Sequence, residues 1–497
     1  MFYAERTFLL LILTDITFAL RSTKLIAYAA VVIEYIIWLG INCIVLKGVR
    51  IDENTVFGAF TCKCVDYSQS GTYNSSAPNK RELIHMVTVP PNRTELSKLH
   101  VLLLTRSISF PNGLAPTQRV KLLAKGLVEC GLEVTILCTQ ASEQPHFVEN
   151  KNVKGVYDGI RYEYTPGTTI RSNHFLARRW NELRGILVAI RRLMEMKRKK
   201  QPCCVYYYGG ILANDPVRWV FYMITQLFEL PLVIEMNERP WVLAQAGDLL
   251  TKQISPFWGV KGVIVISSFL REWAEQEKKR MNSHFRILEL PILVDVDEQQ
   301  PMNFDPENPY VLFAGSPSYD QTIQFILSAM TTVWKIHPEC RLVITGCKPG
   351  EPVSESINKM VREQRLEGRI ELAGYLSRSD LLLRYSRAIA LVIPLFDDIR
   401  SRARFPTKIG EYLASGRPIV TTNVGEVARY FVDRENAYVC APGNPNSYGR
   451  KIIEVLNNSE ESIRVGVEGR QTAEKHFHYS IHTRRLANFF RLLVLGG

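Results

Sequence analysis

The chain has 497 residues, 46% of them hydrophobic and 22% charged. It is too long for one ordinary core, so about two to four domains are expected, and disorder and low complexity are excluded. The net charge of +12 draws anions, whether phosphorylated metabolites, nucleic acid or lipid headgroups. No RNP, zinc-finger or basic-zipper pattern accompanies it, so nucleic acid is set aside. The ten cysteines do not form a framework. Cys62-Lys63-Cys64 has no partner pair and Cys203-Cys204 falls in a strand pattern, so all are read as reduced thiols of a cytosolic protein.

At the amino end, "TFLLLILTDITFAL" has the length of a signal-peptide core, but Asp15 interrupts it and no A-x-A site follows. Residues 25 to 46 are long enough to span a bilayer, with Glu34 their only charge. A second period competes with that reading. An apolar residue returns every six positions at Ile33, Leu39, Val45, Ile51 and Phe57, usually followed by a small or polar one. Such hexads are the pattern of a left-handed β-helix. "WLGINCIVLKGVRIDENTVFGAFTCKCVD" resembles the closing coils of hexapeptide-repeat acyltransferases, and "SSAPNK" the segment after them, so the resemblance covers about 32 to 80. That family's catalytic histidine lies upstream of these coils, whereas no histidine precedes His85 here. Five hexads also make fewer than two coils, too few for an independent core. The expectation is a remnant without acyltransferase activity.

From Leu99 the texture becomes α/β. "LHVLLLT" reads as a buried strand, "APTQRVKLLAKGLVECG" as a helix closed by Gly131, and "LEVTILCT" as a second strand. "CCVYYYGG", "LPLVIEMNE" and "KGVIVISS" continue the series. "PILVDVDEQQPMNFDPENP" is a polar link. A second series follows in "YVLFAG", "RLVITG", "RIELAG", "AIALVIP" and "RPIVTT", and "SIHTRRLANFFRLLVL" has helical spacing suited to crossing back onto the first domain. The predicted organisation is an amino-terminal segment over 1–98, doubly wound domains over 99–295 and 296–475, and a returning helix over 476–497. Residues 176 to 200 have apolar residues at helical spacing and a basic end. They suit either a helix packed on the sheet or one lying on an anionic membrane.

In an open parallel sheet, ligands bind beyond the carboxyl ends of the strands. "AIALVIP" ends at Pro394, and "LFDDIRSRAR" leads into "RFPTKIGEYLASGRPIVTT", with Pro406 suited to a first helical position and Gly416 to a cap. Lys408 and Glu411 share one face of that helix, and Arg402 and Arg404 stand upstream. The pair fits either a surface ion pair or a nucleotide site, with cations and helix-start amides for a diphosphate and a carboxylate for ribose hydroxyls.

"RFPTKIGEYLASGRPIV" resembles the signature of retaining GT-B glycosyltransferases of family 4. The likeness extends over about 99 to 490, through "RSISFPNGLAPTQRVKLLAKGLVECGLEVTILC", "KGVIVISSFLREW" and "GRIELAGYLSRSDLLLRYSRAIALVIPLF". It implies α/β architecture with two Rossmann-like domains facing a cleft. It also implies transfer of a sugar from a UDP- or GDP-sugar donor to a sugar or lipid-linked acceptor, in surface polysaccharide or glycolipid synthesis. Glu411 matches the second glutamate of the E-x7-E motif, which holds ribose. Gly374 and Tyr375 match the loop beside the base, Gly315 and Ser316 the glycine loop, and Thr422, Asn423 and Gly425 the phosphate-side segment.

The chain also departs from that pattern. The first glutamate of E-x7-E falls at Ala403, and "AGSPSYDQ" lacks the Arg and Lys that commonly hold the diphosphate. Lys408, Arg404 and Arg402 are expected to take over that work. "EMNERPW" replaces a segment where many relatives carry a histidine, which draws attention to Asn237 and Glu238. Lys408 and Arg404 are then the candidates for electrostatic catalysis, and Glu238 is either an acceptor-side base or a structural cap. No convincing DxD pair is present, so no cofactor or metal is expected. The alternatives are another nucleotide-sugar reaction such as epimerisation, or a non-catalytic nucleotide-sugar-binding protein. The expected location is cytoplasmic, or peripheral at the inner face of the cell membrane.

Overall fold

The structure is a computed structural model. It describes residues 99–495 except 107, 147, 210–215, 238–256, 303–308, 316–319, 347–351 and 364–365, and before residue 99 only two short strands. Those strands, β1 (Trp38–Leu39) and β2 (Val56–Phe57), belong to a separate compact unit, Met1–Arg93. They pair in parallel, Trp38 with Val56 and Leu39 with Phe57. The partners lie three hexads apart, the separation that one coil of a six-residue solenoid needs. The rest of the hexad pattern, and the rest of the 25–46 stretch, lie outside the described residues.

The second unit, Thr94–Gly497, carries two sheets. The first has eight strands: β3 (His100–Thr105), β4 (Glu133–Cys138), β5 (Lys154–Tyr157), β6 (Ile160–Tyr164), β7 (Cys203–Tyr208), β8 (Leu232–Met236), β9 (Gly262–Val265) and β10 (Arg286–Glu289), in the order β10-β9-β8-β7-β3-β4-β6-β5. All pairings are parallel except the β5–β6 hairpin. β3 and β7 are buried along their whole length, as helices on both faces of a parallel sheet require.

The second sheet has β11 (Tyr310–Ala314), β12 (Arg341–Thr345), β13 (Ile370–Gly374), β14 (Ala390–Ile393), β15 (Ile419–Thr422) and β16 (Tyr438–Cys440), all parallel in the order β13-β12-β11-β14-β15-β16. That is the doubly wound order with its reversal between β11 and β14. The crevice beyond the carboxyl ends therefore opens beside Gly315 and the loop after Ile393.

The lobes share an apolar cluster that runs from Val263 and Val265 through Ile292 and Val294 of the link to Phe405 and Ile409. Helix α1 (Ala115–Glu129) follows β3, and the last helix, Tyr479–Leu495, packs on it. The two approach so closely that a Cβ on Gly126 would lie 2.2 Å from the Thr483 hydroxyl. Among the described residues no helix is long and apolar enough to cross a membrane. The described cysteines, Cys130, Cys138, Cys203, Cys204, Cys340 and Cys440, are all free thiols.

Candidate functional site

The segment 404–422 folds as a short helix, α2 (Thr407–Ala414), feeding β15. Pro406 stands one position earlier than expected, as the N-cap with φ −63°. Gly416 ends the helix at φ +71°, in the left-handed region. Phe405 anchors the entry, stacked on Tyr430 at 5.6 Å and edge-on to Phe477 at 5.4 Å. Buried Tyr412 fixes the other side: its hydroxyl accepts the Ala314 N–H at 2.8 Å. The residue after Glu411 is thus bonded to the residue before Gly315, which brings the glycine loop and the helix together at the switch point.

Glu411 is nearly buried, its side chain 14% exposed, and it pairs with Arg378 rather than with Lys408 one turn earlier. Arg378 Nη1 donates to Glu411 Oε1 at 2.6 Å, while Nε and Nη2 grip both oxygens of Glu298 at 3.0 and 2.8 Å. Burial opposes the charge on Arg378, but the two carboxylates outweigh it and hold its pKa above the usual arginine value. Arg378 opens the helix just after Gly374 and Tyr375. Gly374 lies at φ +66° with its carbonyl accepting the Gly346 N–H at 2.7 Å, and Tyr375 is 46% exposed. The carboxylate predicted from sequence for the ribose is therefore held by the first residue of the helix that follows the predicted base-side loop.

Lys408 and Arg404 are both partly buried at the start of α2 and both are engaged. Arg402 belongs elsewhere: it pairs with Asp397 at 2.7 Å. Asp398 caps the short helix Ile399–Ala403 through the Ser401 N–H at 2.6 Å. Thr422 is fully buried, and its hydroxyl donates to the Leu395 carbonyl at 2.6 Å and accepts the Leu395 N–H at 2.8 Å. That side chain fastens the loop after β14 and is consumed in doing so. Asn423 is exposed. Gly425, at φ +57°, lies so close to Ser401 and Arg402 that a Cβ would come within 3.1 Å of the Ser401 carbonyl. Ser316 and Glu238 lie outside the described residues. Asn237 donates to the Tyr208 hydroxyl at 3.3 Å.

Ala403, where the first motif glutamate is missing, is 0% exposed. Its carbonyl accepts the Ser267 hydroxyl at 2.8 Å from the first lobe, and Ser267 in turn caps helix α3 (Ser268–Arg280). Beside it, buried Glu426 of the second lobe accepts the Ser268 N–H at 2.7 Å and hydroxyl at 2.6 Å, with Arg429 at 2.7 Å on its other oxygen. A carboxylate of one lobe thus caps a helix of the other. Sequence reasoning missed Arg378, Glu298, Ser267 and Glu426. Each acts through a partner at least 33 residues away in the chain or in the other lobe, and no local pattern marks it.

Residues 295–472 match the family model described as glycosyl transferases group 1. Over 169 residues the chain is 24% identical to glycogen synthase of Mycobacterium tuberculosis, covering 34% of this chain and 39% of that protein. The chain thus spans about two fifths of the length of that relative. Sucrose-phosphate synthase from Thermosynechococcus elongatus superposes with a TM-score of 0.62 at 17% identity, over 80% of this chain and 100% of the other. HepE from Anabaena, solved in complex with UDP and glucose, gives 0.56 at 12% identity, over 78% and 98%. The second unit has the GT-B-like fold of these enzymes, two Rossmann-like parallel sheets.

Proposed function

We propose that this chain, whose residues 295–472 carry a group 1 glycosyltransferase domain, transfers a sugar from a UDP- or GDP-sugar to an acceptor with retention at the anomeric carbon. The observation that carries the reading is the ion pair of Glu411 with Arg378, which opens the helix three residues after Tyr375, beside the switch point of the second sheet. A nucleotide lying there has an exposed aromatic ring for its base and a carboxylate for its ribose hydroxyls. Its diphosphate meets the start of α2 with Lys408 and Arg404. That UDP occupies the related fold of HepE favours the same class of donor.

As the bond between the anomeric carbon and the diphosphate oxygen breaks, positive charge spreads over the sugar ring and negative charge grows on the phosphate. Cations and helix-start amides aimed at that phosphate stabilise the transition state more than the ground state. The acceptor oxygen bonds to the same carbon on the same face, and its proton leaves with the phosphate or passes to a base, for which Glu238 is the candidate. No metal or cofactor enters this scheme. On the first lobe, a cavity of about 160 Å³ lined by Ser142, Arg171, Ser172, Arg178 and Asn181 offers polar and cationic groups to an acceptor.

The amino-terminal unit fits a setting in surface polysaccharide or glycolipid synthesis, where sugar acylation and glycosyl transfer meet. The β1–β2 pairing across three hexads supports a hexapeptide-repeat remnant there. The deciding experiment is calorimetric titration with UDP and GDP, followed by incubation with labelled nucleotide sugars and NMR of the product anomer. Release of an altered nucleotide sugar without any acceptor supports epimerisation instead. Nucleotide binding with no turnover on any acceptor supports a binding protein.

A further inference from the structure

Helix α4, Phe175–Arg198, turns its inner face to the first sheet through Gly185, Ala189, Leu193 and Met196. Its opposite face is not polar. Leu176, Trp180, Leu183 and Leu187, spaced i, i+4, i+7 and i+11, form one stripe with exposures of 79%, 66%, 47% and 57%. Arg184, Arg191 and Arg198 recur every seven residues and keep to one flank of that stripe. The neighbouring helix α5, Pro216–Leu227, packs on the same face of the sheet through Phe221 and Tyr222. It leaves Val220, Met223 and Leu227 exposed, the last at 72%. Two adjacent helices on one face of a sheet thus direct apolar side chains the same way, into solvent. Isolated exposed leucines are ordinary; a stripe continued on a second helix is not.

We propose that this face docks on an anionic lipid bilayer, with α4 lying in the plane of the interface. The choice of occupant follows from charge. Helix α4 holds seven cations against two carboxylates, Glu182 and Glu195, so the same face of a second copy would be repelled. Leucines and a tryptophan on one stripe with arginines beside it match the headgroup–acyl boundary, where the apolar side chains enter and the guanidiniums meet lipid phosphate. The helix is too charged to cross a bilayer, and none of the described helices qualifies as a span. The inference does not depend on the reaction proposed above.

The test is co-sedimentation of the full chain with phosphatidylcholine vesicles, with and without phosphatidylglycerol, at low and high salt. Wild type should pellet with the anionic vesicles and be released by salt. Leu176→Ser/Trp180→Ser/Leu187→Ser and Arg184→Gln/Arg191→Gln/Arg198→Gln should each weaken binding at least about tenfold. The substituted side chains are exposed, so unchanged circular dichroism and melting temperature should accompany both losses. Equal pelleting of wild type and the apolar variant overturns the assignment, because the chain then binds through some other segment. Equal binding to neutral vesicles overturns the electrostatic part. Self-association that the apolar variant abolishes identifies the face as a protein interface and also overturns the proposal.

Discussion

Arg378 holds Glu411 at 2.6 Å with one nitrogen and Glu298 of the interlobe link with the other two. The residue that touches the candidate ribose carboxylate is therefore also bonded to the segment about which the lobes would move. Glu411→Ala should remove charge-assisted hydrogen bonds worth about 2–3 kcal/mol, roughly 30- to 150-fold in affinity for the nucleoside diphosphate. Isothermal titration with UDP and GDP reads this directly. Arg378→Lys should recover part of the affinity that Arg378→Gln loses, since lysine keeps one of the contacts and not the fork. Unchanged binding in Glu411→Ala means the nucleotide sits elsewhere.

Restoring the absent motif glutamate should fail. Ala403 has no exposed surface and its carbonyl is bonded to Ser267 of the other lobe, so Ala403→Glu forces a longer, charged side chain into a filled interface. Overpacking and an unpaired buried carboxylate together should cost about 3 kcal/mol or more. The expected readout is a melting temperature lowered by several degrees with no gain in turnover. A stable variant with higher activity would show that the position opens toward the donor.

Much of this fold could be read from sequence because its signals are local. Runs such as "HVLLLT" and "CCVYYY" are mostly apolar and buried on both faces, and Gly416 at positive φ closes α2 where a glycine two residues before a proline predicted an end. Within the site, Glu411, Gly374 and Tyr375 could be named because a family motif runs through them. Their mutual placement could not, since it depends on the partners of Arg378 and Tyr412, which lie 33 and 98 residues away in the chain. Thr422 illustrates the converse. The motif marks it, yet its hydroxyl serves the Leu395 backbone and positions the loop after β14. Arg402, counted with the phosphate cations, is bonded to Asp397.

Acid should weaken the packing of the returning helix. Burial pushes His482 down to about 4 from 6.5, opposed only in part by the His476 carbonyl that accepts its Nε2–H at 2.7 Å; Arg485 and Arg119 lower it further. The unfolded chain takes up this proton at higher pH than the folded one. Stability is therefore intact above about pH 6.5 and falls as the pH drops toward 4, by roughly 3 kcal/mol at that limit. His482→Gln keeps a donor for the His476 carbonyl and does not titrate. Urea unfolding at several pH values should show a shallower acid limb for the variant; parallel limbs would assign the pH dependence to other groups.

The strongest single destabilisation is expected at Arg119. This guanidinium, 2% exposed, donates to Glu235 at 2.6 Å and to the carbonyls of Pro291 and Leu290 at 2.7 and 3.0 Å, and Tyr206 donates to the other Glu235 oxygen. It thereby ties α1 and β8 to the start of the interlobe link. Arg119→Leu leaves a buried carboxylate unpaired and should cost about 3–5 kcal/mol. Adding Glu235→Leu removes the orphan charge and should return part of that loss, while the Leu290 and Pro291 carbonyls stay unsatisfied. Urea midpoints of the four proteins in the cycle measure the coupling. Two losses that simply add would mean the pair contributes nothing beyond its separate contacts, and the network would then be a packing feature instead of an ionic one.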